Sequence, residues 1–214
     1  MRRTAMIAGV FYVLTFVSVP TITLYDPTRD TGFVTTPGSG TAVVVGCVLE
    51  LVVALACVGT AVALYPVLRT VGEGRALGFV AARVVEATVI VVGVASVLTA
   101  VHLKRTGAGT EVTGRTLVAF YDSAFLVSQS LVPAVNAVLL GTLLYQSRLV
   151  PRVLPILGLI GAPLLVASVV GVLFDAWDRL SPVAAAAALP IATWEFALGV
   201  YLLTRGFRDQ GSKR

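Results

Sequence analysis

The chain has 214 residues, of which 57% are hydrophobic and 13% charged, with a net charge of +5. Soluble domains carry about 25% charged residues, so this composition excludes an ordinary soluble globular protein and points to one membrane-embedded domain over 1–214. The basic residues lie mainly between apolar segments, which ties them to membrane topology and excludes nucleic acid as a partner.

A membrane span needs about twenty mainly apolar residues. Six segments satisfy this: 5–25, 41–66, 77–102, 117–146, 154–174 and 183–204. Continuous apolar runs of this length are helices, since alternation would mark barrel strands. The expected fold is all-α, a polytopic integral membrane bundle of six transmembrane helices with both termini cytoplasmic in the cell membrane.

The first segment follows Met-Arg-Arg and imitates a signal peptide. Its apolar run exceeds a usual h-region and no A-x-A site follows, so it reads as an uncleaved first span. The loop 26–40 is rich in Pro, Gly, Asp and Thr and is expected on the outside. The second segment holds Cys47 and Cys57, ten residues apart on one helix. That separation, roughly 15 Å of rise, prevents a disulfide between them. His102 ends the third segment, where a lone interfacial histidine reads as structurally neutral. No spacing of ligands marks a metal site. The other connections are short, so neighbouring helices pack antiparallel.

Orientation follows from the basic residues. With both termini inside, ten lie on inner segments, including Arg2, Arg3, Arg69, Arg75, Arg148, Arg152 and Arg205, through to Lys213 and Arg214. Five lie outside: Arg29, Lys104, Arg105, Arg115 and Arg179. The excess favours this orientation. Tyr65, Tyr145 and Tyr201 each end a span and are followed by Arg69, Arg148 and Arg205, the pattern of an interfacial aromatic belt with a cytoplasmic anchor. The tail from Arg208 to Arg214 is expected to be solvated.

Ionisable and polar groups within apolar spans are expensive and face the protein interior. Asp122, Gln129 and Asn136 recur every seven residues in the fourth segment, so an ideal helix puts them on one face. Pro133 lies among them and cannot donate to the carbonyl of Gln129. Glu50 stands in the second span without a visible partner. In the third, Arg83 and Glu86 are three residues apart and close enough to pair. Glu195 in the sixth lies at a depth similar to that of Glu86, so Arg83 bridges both acids if those helices are neighbours. These seven residues form the candidate intramembrane polar site. A row of glycines, among them Gly93, Gly141, Gly158, Gly161, Gly171 and Gly199, reads as close helix contacts.

Catalytic signatures such as HExxH, GxSxG, a P-loop or GxGxxG are missing from the sequence, and each would carry its own chemistry. Tyr121-Asp122 matches half of an intramembrane aspartyl protease pattern, but no second span aspartate accompanies it, and that mechanism needs two carboxyls.

Several short motifs run together along the chain: Arg83-Val-Val-Glu86-Ala-Thr, Asp122-Ser-Ala-Phe125, Asn136-Ala-Val-Leu-Leu-Gly141, Leu149-Val-Pro-Arg152, Leu157-Gly-Leu-Ile-Gly161-Ala-Pro163 and Trp194-Glu195-Phe-Ala-Leu-Gly199, ending in Arg205-Gly-Phe207. In these the chain resembles a bacterial membrane family known as domain of unknown function 4386. The resemblance implies a multi-span integral membrane protein and assigns no activity, so no catalytic residue follows from it.

Two functions remain open. One is a membrane protein that handles a small molecule or ion through its polar interior. The other is a non-catalytic interaction or accessory protein in which the same residues clasp the helices. Neither is an enzyme, and neither needs a cofactor. The lipid bilayer is the partner in both.

Overall fold

The computed structural model describes residues 2–208; Lys213 and Arg214, and with them most of the expected tail, lie outside the described residues. The chain is helical, and no strand occurs among the described residues. It begins with α1 (Arg2–Leu14), a 3₁₀ turn at Thr15–Ser18, and the short α2 (Thr21–Leu24). Pro20 sits at this break, where its missing N–H interrupts the helical ladder. After a 3₁₀ turn at Asp26–Arg29 come α3 (Thr41–Thr106), α4 (Glu111–Leu126), a π turn (Val127–Leu131), α5 (Val132–Ser147), α6 (Val153–Leu173) and α7 (Pro182–Thr204).

Five stretches are long and apolar enough to cross a membrane: Arg2–Leu24, Thr41–Thr106, Glu111–Ser147, Val153–Leu173 and Pro182–Thr204. A straight helix of 66 residues would run roughly 100 Å, about three times a bilayer's hydrocarbon core. Helix α3 is not straight. At Gly72 the backbone turns to φ −174°, ψ 96°, and the chain doubles back. The Arg105 Nε–H donates to the Ser39 carbonyl at 2.8 Å, which brings the end of α3 to its beginning. The segment expected as a connection, 67–76, is therefore helical up to the turn and again after it.

The helices close into a ring. α1 packs on α7 and on α3, α3 on α4 and α5, α5 on α6, and α6 on α7. Small residues permit the close approaches. A Cβ on Gly9 would lie 2.8 Å from the Gly199 carbonyl, and one on Gly158 would lie 2.5 Å from the Trp194 ring. Gly93, Gly141 and Gly161 likewise face Ala124, Leu159 and Ile191, whereas Gly171 faces Trp177 of the following loop. Large apolar side chains point away from the protein on every long helix, among them Ile7, Leu55, Val84, Val138, Ile160 and Leu189. Such a continuous apolar exterior suits hydrocarbon rather than water.

Two apolar cores fill the ring. One gathers Tyr12, Leu64, Phe79, Leu140, Trp194 and Leu198 near the Gly72 turn. The other gathers Tyr25, Phe33, Cys47, Val94 and Tyr121 near the long loop. Cys47 and Cys57 are both free and buried. The long loop is fastened down by the cations at the end of α3. Lys104 Nζ donates to the carbonyls of Phe33 at 2.8 Å and Thr36 at 2.6 Å and lies 4.6 Å from the Phe33 ring centre. The local role of Lys104 and Arg105 is thus to hold the loop, which explains why basic residues accumulate at this end. At the opposite end, Arg152 lies 4.8 Å from the ring centre of Tyr145, one of the three tyrosines of the expected aromatic belt.

Candidate functional site

The polar residues read from the sequence fall into three linked groups. The deepest centres on Arg83, whose side chain is 1% exposed. Three residues of spacing bring Glu86 onto its face of α3, and the ring closure brings α7 alongside. Arg83 Nη1 donates to Glu86 Oε2 at 3.1 Å, and Nη2 donates to Glu195 Oε1 at 2.6 Å. One guanidinium therefore bridges both acids, as its planar fork allows. The Tyr12 hydroxyl accepts from Nη2 at 3.3 Å, and the Tyr12 and Phe79 rings lie 5.3 and 5.7 Å from the Arg83 carbon. Asn136 Nδ2 donates to Glu86 Oε2 at 2.7 Å. Two acids share one cation, and Glu195, with 14% side-chain exposure against 6% for Glu86, is the more open of the two.

The second group surrounds Glu50. The sequence showed no partner for this acid; the structure corrects that with three. The Tyr121 hydroxyl donates to Oε1 at 2.6 Å, the Tyr25 hydroxyl to Oε2 at 3.3 Å and Gln129 Nε2 to Oε1 at 3.4 Å. The two tyrosine rings meet edge to face at 5.2 Å. Tyr25 arrives from the first segment, 25 residues before Glu50, and Tyr121 from α4, 71 residues after it. Such non-local pairs leave no spacing signal. An apolar environment that holds an acid in a fixed cradle of hydroxyls was detectable only as two tyrosines inside spans.

The third group lies at the long-loop end. Asp122 accepts from Arg179 Nη2 at 2.5 Å and from both terminal nitrogens of Arg29 at 3.3 and 3.4 Å. Arg179 also lies 4.4 Å from the Phe125 ring centre. Both arginines belong to connecting segments, so they stood outside the set chosen from apolar spans.

The common face of Asp122, Gln129 and Asn136 needs a correction. The helix that carries them is not an ideal one, because Val127–Leu131 forms a π turn. A π turn inserts an extra residue into an α-helix, so the phase before and after it differs. The three residues, each about 10 Å deeper than the last, serve three separate groups: Asp122 the arginines, Gln129 the Glu50 cradle, and Asn136 the Arg83 group. The π turn lies directly before Pro133, where the α ladder loses a donor.

Two adjoining cavities connect these groups. The inner, about 240 Å³, is lined by Arg83, Glu86, Gln129, Pro133 and Glu195. The outer, about 410 Å³, is lined by Tyr25, Arg29, Tyr121, Gln129, Ser168 and Arg179. Gln129, Phe125, Leu165 and Ala188 line both. Asn136 and Glu50 line neither, being enclosed by their partners.

A closed ring of apolar helices around linked polar groups and cavities defines a class: helical proteins compatible with insertion in a membrane, with a polar interior. The family described as "Domain of unknown function (DUF4386)" matches residues 7–206, and the chain belongs to it. No curated protein and no solved structure matches the chain.

Proposed function

We propose that the chain is an integral membrane protein of six crossings, both termini cytoplasmic, that handles a small molecule or ion through its polar interior. The doubling back at Gly72 supports six crossings, because it makes α3 two antiparallel lengths. The observation that carries the function is the position of Glu195. Its Oε1 is held by Arg83, while the side chain borders the inner cavity together with Arg83 and Glu86. A purely structural clasp has its charges enclosed by one another; here both acids sharing a guanidinium border space that a ligand can enter, Glu195 the more exposed. Intramembrane ionisable groups around such a cavity suit binding or passage of a solute. This reading is non-enzymatic, and its partners are the bilayer and the solute.

One observation favours the clasp for part of the cluster. Asn136 is fully buried, and its donation to Glu86 joins α5 to α3 without access from either cavity.

The test is chemical access. Single cysteines replacing Ala188 and Ala192 are treated with cationic, anionic and neutral thiosulfonate reagents in the membrane-embedded protein. Hydrophilic reagents are expected to modify both positions, with Glu195→Gln lowering the rate of the cationic reagent at Ala192→Cys. Inertness to every hydrophilic reagent at both positions would leave the clasp as the function of the whole cluster.

A further inference from the structure

We infer that the outer cavity is a binding site for a single-chain anionic amphiphile, with its acidic head on Arg29 and Arg179 and its aliphatic body among the apolar wall. The inference rests on the membrane reading but not on the inner cluster around Arg83.

Three observations carry it. First, the formal charges that border the outer cavity are both positive. Arg29 and Arg179 line it, whereas Asp122 and Glu50 do not. Asp122 holds the two guanidiniums from behind, bordering a separate recess with Arg29. Glu50 is screened by the hydroxyls of Tyr25 and Tyr121 and by Gln129.

Second, one carboxylate serves two guanidiniums, and among the described residues no other acid lies within ion-pair distance of either. Each guanidinium has five N–H donors. Arg179 uses Nη2 on Asp122, and Arg29 uses its two terminal nitrogens there. Arg179 is further set by the Phe125 ring beneath it, so its remaining donors are fixed in orientation. Planar guanidinium forks match carboxylate and phosphate heads.

Third, below the arginines the wall is mainly apolar, with Leu126, Leu165, Val169, Val172, Ala184 and Ala188, interrupted by Gln129, Ser130 and Ser168. The cavity volume, about 410 Å³, falls within the range of small-ligand sites, roughly 300–1,000 Å³. A bare inorganic anion would leave most of it unfilled. A neutral apolar solute would leave the guanidinium donors unmatched. A diacyl lipid brings a second chain of equal bulk to a cavity of about 410 Å³. An acid head on one aliphatic chain satisfies both ends.

The experiment is equilibrium binding of dodecanoate to the full chain in phosphatidylcholine nanodiscs. Dodecanol, dodecylammonium, acetate and inorganic phosphate serve as competitors, and a second nanodisc series contains phosphatidylglycerol. Dodecanoate is expected to bind saturably, one molecule per chain. Loss of a charged head contact weakens binding by about tenfold or more, so dodecanol and dodecylammonium should compete at least that much less well. Arg29→Gln with Arg179→Gln should remove the preference for dodecanoate over dodecanol, and Ala184→Phe should remove binding of both. If the double variant does not fold, Arg29→Gln alone, on the more exposed of the two, should weaken dodecanoate while sparing dodecanol.

Equal competition by dodecanol would overturn the reading of the head. Tighter binding of dodecylammonium would assign the site to the acids instead. Competition by acetate or phosphate at equal strength would make it a free-anion site. Displacement by phosphatidylglycerol would assign it to bilayer lipid. Unchanged dodecanoate binding in Ala184→Phe would remove the cavity from the argument. A failure here with hydrophilic access intact at Ala192→Cys would leave the proposed solute-handling function standing.

Discussion

Arg83 Nη2 and Glu195 Oε1 meet at 2.6 Å across 112 residues of sequence, and the same guanidinium holds Glu86 from the other side. Removing a partner from a buried ion pair costs about 3–5 kcal/mol, because a charge is left uncompensated. Arg83→Ala leaves two acids facing each other and should fall in that range. Arg83→Lys retains the charge but has no fork to span both acids, so it should lie between the two. Cys47 is 1% exposed and lines neither cavity, so its reaction with a thiol dye on heating, with Cys57 replaced by Ala, reports the loss of packing. Equal midpoints for all three proteins would contradict the bridging role.

Asn136 should matter far less. It donates one hydrogen bond to Glu86, while its own Oδ1 is buried without a partner. Hydrogen bonds between membrane helices contribute about 1 kcal/mol or less. Asn136→Leu therefore removes one bond and one unmatched acceptor together, and its unfolding midpoint should stay close to that of the native chain. A loss as large as that of Arg83→Ala would show that Asn136 is the organiser of the group.

The tyrosine cradle makes a separate prediction. Tyr121 donates the shortest hydrogen bond that Glu50 receives. Leaving a buried acceptor without its donor costs about 1–3 kcal/mol. Tyr121→Phe should destabilise by an amount in this range, and Tyr25→Phe, whose bond is longer, by less. Glu50→Gln keeps an acceptor for Tyr121 and should be milder than Glu50→Leu, which strands the Tyr121 hydroxyl and leaves Tyr25 only the Cys47 sulfur. The order of midpoints among these four variants is the measurement; Glu50→Leu above Glu50→Gln would exclude the cradle.

The reading of the apolar segments came close to the observed helices because twenty apolar residues in a row have few alternatives. The Arg83 group was legible for a related reason: spacing on one helix and equal depth on another are both countable. What escaped depends on tertiary closure. Tyr25 and Tyr121 reach Glu50 only after the ring forms, and Arg29 and Arg179 reach Asp122 only after two loops fold inward. The continuation of helix through most of 67–76 escaped because Arg69, Glu73 and Arg75 resemble a connection in composition, although charged residues at a helix turn outside the apolar band are well tolerated.

Glycine contacts can be ranked in the same way. Gly9→Ala would push a methyl group against the Gly199 carbonyl, a backbone atom, at 2.8 Å. Overpacking of this kind costs about 1–3 kcal/mol, and α1 should separate from α7. Gly74→Ala meets nothing within 4 Å and gains at most about 1 kcal/mol of helix preference. Opposite shifts in midpoint are expected, and a stabilising Gly9→Ala would refute the α1–α7 contact.

Topology is checked by impermeant thiol labelling in intact cells. Thr35 and Gly74 are exposed and lie at opposite ends of the bundle. Thr35→Cys should react directly, and Gly74→Cys only after permeabilisation. Labelling of Gly74→Cys from outside would invert the proposed orientation.

The π turn at Val127–Leu131 makes the chain unusually sensitive to length at one place. Each residue of an α-helix advances about 100°. Deleting a single residue between 127 and 131 would restore regular spacing and rotate α4 by about that angle against α5. Tyr121 would swing away from Glu50, and Asp122 from Arg179, while Asn136 kept its hold on Glu86. Deletion of the exposed Val127, which spares Gln129, would thus uncouple the long-loop half of the protein from the Gly72 half without altering any polar residue that either half uses.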